Sequence, residues 1–434
     1  MEHAGHPPAR TASPRKAWLI VTLLFLVQVV NYADKTVMAL AAPSIMRELK
    51  LSAAQYGLVA SSFFSLYAVA GLFVGFVLAP RFPPRRIMTI LLVIWSVAQL
   101  PIVLSASLGV LIACRVTLGA GEGGGTPTAM NVAHEWFPAD RRNMPTAVVT
   151  LGTSIGSLLA APLLSYVIVA FGWRMAFLTC SMIGLVVLML WLAIADDGPE
   201  SEFRADRGGT MAQSPITQAQ LWRDPAIIGS FMAQSAAYWI IGFSVAWLPP
   251  FVIQALGYGQ ISGGWMLSVT YGVQSVFWLA IAWTSQRMLQ RGRSSRQARG
   301  TLNGWCLFAA GLCFAGVAVV SEAILRVALI ASAIGFSGAT FTLNPALLSE
   351  IAPEGHRNRL INVMMAIITI AAIVSPAVAG RLIQSDPVGG WARMLWVNAG
   401  ICMVGAAAAF ALLHPERARR RFAALKAAAA VPTA

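Results

Sequence analysis

Charged side chains are scarce in this chain. Asp, Glu, Lys and Arg make up 11% of its 434 residues, where a soluble domain carries roughly 25%. With 57% hydrophobic residues and a mean hydropathy of +0.69, too little polar surface remains to face water, so the solvent is lipid. Acids are rarer than bases, 17 against 31, and the net charge is +14. On a soluble fold that excess would suggest nucleic acid, but no soluble basic face exists to bind it. The cysteines are few: Cys114, Cys180, Cys306, Cys313 and Cys402 all lie in apolar runs. They have neither metal-ligand spacing nor an extracytoplasmic pairing pattern, and read as small packing residues. No metal and no cofactor is expected. No small-residue cleavage site follows the first apolar run, so a cleavable signal peptide is not expected and the first helix reads as a retained span. No nucleophile stands beside a base at useful spacing, which speaks against an enzyme. The glycine run Gly121-Glu122-Gly123-Gly124-Gly125-Thr126-Pro127 lacks the Lys-Ser/Thr ending and the preceding strand of a phosphate loop.

What the chain does have is long apolar runs. A span needs about 20 mainly apolar residues. Such runs lie at 17–41, 55–79, 86–106, 108–134, 143–170, 173–195, 226–253, 262–288, 300–320, 323–349, 356–383 and 391–413. The expectation is an all-α membrane protein of twelve transmembrane helices. An even number puts both termini on one side. That side then holds 23 Lys and Arg and the other side 6, with Lys35 and Arg115 inside spans. By the positive-inside rule the termini are cytoplasmic. The expected organisation is a cytoplasmic segment 1–16, a six-helix bundle 17–195, a cytoplasmic linker 196–225, a second six-helix bundle 226–413 and a basic cytoplasmic tail 414–434. The tail reads either as resting on an anionic leaflet or as solvated.

The halves echo each other. Span four reads Cys114-Arg115-Val116-Thr117-Leu118 and span ten Leu325-Arg326-Val327-Ala328-Leu329. Loops 2–3 and 8–9 are both basic, and spans five and eleven each carry a proline, Pro162 and Pro376. Two related six-span halves are the signature of an alternating-access transporter with its solute site near the midplane.

Over nearly its whole length the chain resembles the major facilitator superfamily, and within it the anion:cation symporter branch. The matching residues are Asn31-Tyr32-Ala33-Asp34-Lys35, Tyr67, Arg115, Gly119, Gly121, Glu122, Trp136-Phe137-Pro138 with Arg141-Arg142, and Trp247-Leu248-Pro249. The resemblance implies two pseudo-symmetric six-helix bundles and transport of an organic anion with protons or sodium through a bacterial inner membrane. Five positions depart from the pattern. Lys35 replaces the usual Arg. Pro80 and Pro83 stand where loop 2–3 usually has Asp and Gly, so the cytoplasmic gate must close differently. Gly71 stands where sugar-acid members carry a Gln, and Tyr238, beside Trp239, where they often carry an Asn. Two hydroxyl-binding positions become a void and a ring, which favours a compact or aromatic monocarboxylate over a sugar acid.

Asp34, Lys35, Arg115 and Glu122 are ionisable at membrane depth, where charge is costly and functional by default. Arg115 and Glu122 are seven apart and share a helix face, about 10 Å apart along the axis, too far to pair directly. Each needs a partner elsewhere or a ligand, and Gly119 to Gly125 let a helix or a solute approach. The expected substrate site is Lys35 and Arg115, with hydrogen bonds from Tyr32 and Tyr67 and with Asn31, Tyr238 and Trp239 nearby. Glu122 is expected to carry the coupling proton; Asp34 is either a second carrier or a partner of Arg115. Arg326 reads as snorkelling outward. Asn344 and Asn362 read equally as helix glue or ligand contact, and Gly71/Gly75 and Gly152/Gly156 as helix-packing pairs. The expected function is proton-coupled symport of an organic carboxylate by a monomer in the lipid bilayer, with sodium as the alternative ion. An exchanger of organic phosphates or dicarboxylates, or a non-transporting solute sensor, are the other readings.

Overall fold

A computed structural model describes residues 13–138, 141–198, 218–352, 357–386 and 389–430. Among them there is helix and no strand. The first half runs α1 (Pro14–Glu48), α2 (Ala53–Leu78), α3 (Pro84–Leu104), α4 in two pieces (Leu108–Glu122 and Gly125–His134), α5 (Met144–Phe171) and α6 (Trp173–Ile194). The second runs α7 (Pro225–Ala255), α8 (Gln260–Gln290), α9 (Arg296–Val319), α10 (Ala323–Ile351), α11 (Val363–Ser385) and α12 (Gly390–Leu412), followed by α13 (Pro415–Ala430). Eleven of these are long and apolar enough to cross a membrane. The twelfth expected span, 108–134, is α4, and neither of its pieces alone is long enough. Long apolar side chains such as Leu104, Leu279 and Ile324 stand exposed, as a lipid solvent permits.

The breaks have local causes. In α4 the helix stops at Gly123-Gly124, three residues before Pro127. Proline has no N–H to return to the carbonyl four residues back, here that of Gly123, and its ring crowds that carbonyl. In α10 a turn falls at Ala339, beside Gly338. In α3 the turn at Gln99 precedes Pro101. Interrupted helices at corresponding places in two halves are the pattern of a transporter whose site lies at the breaks.

Glycines decide which helices touch. A Cβ at Gly152 would meet the Phe25 carbonyl at 2.5 Å, and one at Gly156 the Val29 carbonyl at 2.6 Å, so the Gly152/Gly156 pair seats α5 on α1. Gly71 packs towards the Gly123 carbonyl, whereas Gly75 has open space around it. Only the first of that second pair acts in packing.

The end carrying the chain termini is the terminal end, and the opposite one the far end. At the far end the halves interlock. The Tyr56 hydroxyl donates to the Ala246 carbonyl at 3.1 Å and its ring meets Trp247 edge-on at 5.1 Å. Gln260 donates to the Leu40 carbonyl at 3.0 Å, and the Ala54 N–H to Gln384 at 3.1 Å. Gly57 abuts the Pro376 carbonyl. At the terminal end Asp196 ion-pairs with Lys16 and Arg85, both in its own half, and these cations hold its carboxyl below the usual range. Glu350 pairs with Arg299 at 2.6 Å and Arg419 at 3.2 Å, and Arg421 with Asp224 at 2.7 Å. The tail expected to rest on lipid or in solvent is therefore, as far as residue 430, a helix docked on the second half through Ala418 and Phe422. Most of the expected linker, residues 199–217, lies outside the described residues.

Candidate functional site

Asn31, Tyr32, Asp34 and Lys35 follow one another on α1: Lys35, held by Asn31, meets α4 at Glu122, Asp34 meets α3 at Gln99, and Tyr32 lies against Gly156 of α5 and on the cavity wall. The approach of α2 to α4 is set by glycine. A Cβ at Gly119 would overlap the Phe63 carbonyl, and one at Gly123 the Tyr67 carbonyl. Gly121 and Gly125 admit Ile94 and Trp95 of α3 in the same way. Helices, not a solute, fill the room that these glycines leave. One consequence is that Phe63 and Tyr67 are pressed against the charged face of α4.

The Lys35 ammonium donates to Asn31 Oδ1 at 2.5 Å and lies 2.6 Å from Glu122 Oε2. Its charge also faces the rings of Tyr32 at 4.6 Å, Phe63 at 5.8 Å and Tyr67 at 5.9 Å, each an attraction for a desolvated cation. The Glu122 carboxylate is fully buried. Arg115 is 2% exposed and stacks on Phe63 at 4.7 Å. Its Nε and Nη1 make no hydrogen bond, and among the described residues no carboxylate forms an ion pair with it. Phe63 thus stands within reach of both cations.

Asp34 is not the partner of Arg115. Its carboxylate accepts from Gln99 Nε2 at 2.7 Å and lies beside the Cys180 thiol. Gln99 stands at the turn ahead of Pro101. The four ionisable groups thus divide into a close pair, Lys35–Glu122, an arginine with unmet donors, and a carboxylate hydrogen-bonded to neutral groups.

A cavity of about 90 Å³ lies between the halves. Its first-half wall includes Tyr32, Lys35, Thr36 and Ser157. Its second-half wall includes Ser244, Tyr271, Gln274, Trp278, Ser337 and Phe341. Of the residues expected from sequence, Lys35 and Tyr32 line this cavity. Asn31 and Glu122 sit behind Lys35, and Tyr67 beside it. Arg115 is set deeper, behind Phe63. Tyr238 packs on Phe341 at 5.3 Å with its hydroxyl against Met365 sulfur at 3.4 Å, and the Trp239 indole donates to Asn398 at 2.9 Å; neither lines the cavity. Asn344 donates to the Ser230 carbonyl and to Gln234, both at 2.9 Å, which is helix glue. The Asn362 side chain lies outside the described residues. Arg326 donates to the Val317 carbonyl at 3.1 Å near the far end.

Sequence reading did not single out Gln99, Gln274 or Trp278. Each carried a signal: Gln99 and Gln274 are amides inside apolar runs, and Trp278 stands one turn after Gln274. Which polar residue faces inward is set by tertiary packing, which periodicity in a nearly all-apolar span does not reveal.

Comparison with known proteins agrees with this architecture. The Major Facilitator Superfamily model matches residues 24–320 and 299–433. The chain is 23% identical over 403 residues to a hexuronate transporter of Bacillus subtilis, covering 91% of this chain and 94% of that one. It is 26% identical over 427 residues to a D-galactonate transporter of Escherichia coli O6:H1, covering 92% and 96%. To a probable sulfoacetate transporter of Cupriavidus necator it is 25% identical over 411 residues, covering 90% and 92%. Among solved structures, a bacterial homolog of the human lysosomal transporter Spinster in an inward-facing, unoccupied conformation superposes with a TM-score of 0.77 at 16% identity, covering 95% of this chain and 99% of that one. A D-xylose-proton symporter gives 0.73 at 14% identity, covering 92% and 99%. At such identities the structural likeness is one of fold. The chain belongs to the major facilitator superfamily, and is a multi-pass membrane transporter rather than an enzyme.

Proposed function

We propose that this protein carries a compact organic monoanion together with a proton. The observation that carries the reading is the 2.6 Å ion pair between Lys35, on the cavity wall, and the buried Glu122. An incoming carboxylate needs the Lys35 ammonium, and Glu122 already holds it. Protonating Glu122 releases the ammonium to the anion; a bound anion in turn draws Lys35 away and favours the protonated acid. Each ligand raises the affinity for the other, which is the linkage a symporter requires.

The charge balance supports one proton per monoanion. Asp34 and Glu122 ionised against Lys35 and Arg115 sum to zero, an anion makes the site negative, and a proton restores neutrality for passage through a low-dielectric interior. Arg115 adds a second attraction from behind Phe63, with donors that an anion would satisfy when the far end opens. Compactness is supported by the cavity, whose roughly 90 Å³ accommodates a few water-sized groups. The names of the relatives, transporters of hexuronate, galactonate and sulfoacetate, support an organic anion as cargo. The excess of Lys and Arg on the terminal side supports cytoplasmic termini of a monomer in a bacterial inner membrane, with two six-helix bundles joined by the 196–225 linker.

The test is uptake by proteoliposomes of a panel of short carboxylates under an imposed pH gradient, with and without sodium. The expected result is accumulation driven by the pH gradient, indifferent to sodium and to an imposed voltage alone. Counterflow with no accumulation under any gradient would make the protein an exchanger. Sodium-driven accumulation would reassign the ion.

A further inference from the structure

Most hydrogen-bond donors on the cavity wall are already committed. Thr36 donates to the Tyr32 carbonyl at 2.8 Å, Ser157 to that of Thr153 at 3.3 Å, Ser244 to that of Ile240 at 2.8 Å and Ser337 to that of Ile334 at 3.1 Å. A hydroxyl whose proton goes to its own helix has only lone pairs left to offer. The Trp278 indole nitrogen is closed off, buried against Gly338. On the second-half wall two side chains keep free donors, Tyr271 and Gln274.

Neither side chain hydrogen-bonds to any described residue, and unlike Trp278 Nε1 their polar atoms are not closed off. They stand three residues apart on α8 and share one face of it. Other glutamines inside spans tie helices together. Gln28 donates to Thr126 of α4, Gln99 to Asp34 of α1, and Gln234 accepts from Asn344 of α10. Gln274 ties no helix to another, although an amide at membrane depth is costly unless something answers it. It lines the cavity across from Lys35, which lies on the first-half wall.

A glutamine side chain presents an acceptor oxygen and N–H donors side by side. Another neutral amide answers both atoms at once, a hydroxyl meets only one of them squarely, and a methyl meets neither. A carboxylate can only accept, so it sets its charge against the amide oxygen and belongs on Lys35 instead. We propose that Gln274, supported by the Tyr271 hydroxyl, determines specificity in the second half, and that the preferred cargo is a short monocarboxylate with a carboxamide at its other end. The carboxylate sits on Lys35. The carboxamide donates to Gln274 Oε1 and accepts from Gln274 Nε2 or the Tyr271 hydroxyl. The inference rests on the carboxylate reading above and names the neutral end of the cargo. Such a cargo is still a monoanion, so the charge balance with one proton is unchanged.

The experiment is calorimetry of the purified protein with two pairs of acids of matched shape, malonamate against 3-methylbutanoate and succinamate against 4-methylpentanoate. Within each pair an isopropyl group replaces the carboxamide, and the two lengths sample the span from Lys35 to Gln274. In at least one pair the amide acid should bind about tenfold more tightly, because the branched acid leaves the Gln274 amide desolvated and unpaired. In Gln274→Leu the two affinities should move in opposite directions, the amide acid weaker and the branched acid tighter, bringing their ratio to about one or below. A variant that only distorts the cavity weakens both acids and keeps the ratio, and that result overturns the proposal. Equal binding within both pairs by the parent, or a preference that survives Gln274→Leu, also overturns it. Tyr271→Phe removes only a hydroxyl and should cut the preference to about threefold. If Gln274→Leu does not fold, an unchanged preference in Tyr271→Phe overturns the proposal. All these results leave the carboxylate reading intact, whereas binding of none of the four acids overturns both.

Discussion

On one side of the cavity, α1 and α4 bring Lys35 and Glu122 to within 2.6 Å of each other, with Asp34 and Arg115 buried close by. On the other side, α7, α8 and α10 present Ser244, Gln274, Trp278 and Ser337, none of them ionisable at neutral pH. Both halves have an interrupted helix at the same place, at Gly123-Gly124 in α4 and at Ala339 in α10. The break in the first half holds an acid, and that in the second a glycine under an indole. The difference divides the work. Charge at this depth is expensive and is useful only if something mobile neutralises it, so the first half suits ion coupling. Neutral hydrogen bonding loses little when the site empties, so the second half suits discrimination among solutes.

The largest test of that division is Lys35→Ala. It leaves Glu122 buried without its cation, an arrangement that is destabilising by about 3–5 kcal/mol when one partner of a buried pair is removed. Thermal stability should fall and acid binding should weaken by about 100-fold or more in calorimetry. Adding Glu122→Gln should restore stability but not binding. A double variant that bound acid like the parent would remove Lys35 from the site.

Glu122→Gln alone sharpens the comparison. Removing the competing carboxylate frees the ammonium, so acids should bind at least as tightly as to the parent and with little dependence on pH. Counterflow should persist, and accumulation driven by a pH gradient should be lost. A variant that still concentrates its solute against a gradient would move coupling to Asp34.

The glycine contacts between α2 and α4 are a stability matter. Gly123→Ala drives a methyl into the Tyr67 carbonyl and should destabilise by about 1–3 kcal/mol, the usual size of overpacking. Gly75→Ala meets open space and should leave the melting temperature unchanged. Equal effects from the two would mean that the close crossing is not needed.

The smallest effect is expected away from the cavity. Just beyond α4, Glu135 is pushed up to about 7, mainly by burial under the segment at Gly198 and further by Asp197, against the Gly198 N–H that favours its ionised form. The folded protein therefore holds this proton more tightly than the unfolded chain, whose glutamate titrates near 4.3. Stability should decline as pH rises from about 4.3 to 7 and then level off. The decline should be below about 1 kcal/mol, since the carboxyl is partly exposed and screened. In Glu135→Gln the melting temperature should follow pH less steeply across that interval; an unchanged slope would assign it to other groups.

Much of the architecture was legible because lipid imposes a simple rule. A segment of about 20 apolar residues can satisfy its backbone only as a helix, so runs such as 226–253 and 391–413 announced themselves. The run 108–134 was legible as a span although its helix is broken, because hydropathy registers length and not continuity. The cost of charge at membrane depth drew attention to Asp34, Lys35, Arg115 and Glu122. It did not distinguish which cation meets the cavity or which carboxylate holds Lys35, because those facts depend on how far α2 sinks into α4 over Gly119 and Gly123. Of the two readings of the glycine face, a helix or a solute, the structure has the helix at Gly119, Gly121, Gly123 and Gly125 for the same reason.

Composition and the placement of apolar runs determined the solvent, the spans and the presence of rare ions at membrane depth, since each follows from transfer energies that act residue by residue. Tertiary packing decided the pairings: Lys35 with Glu122, Asp34 with Gln99, Arg115 with the face of Phe63, and Trp278 with the hollow over Gly338. Hydrogen bonds and ion pairs fall away within an ångström or two, and only the packed helices fix distances on that scale.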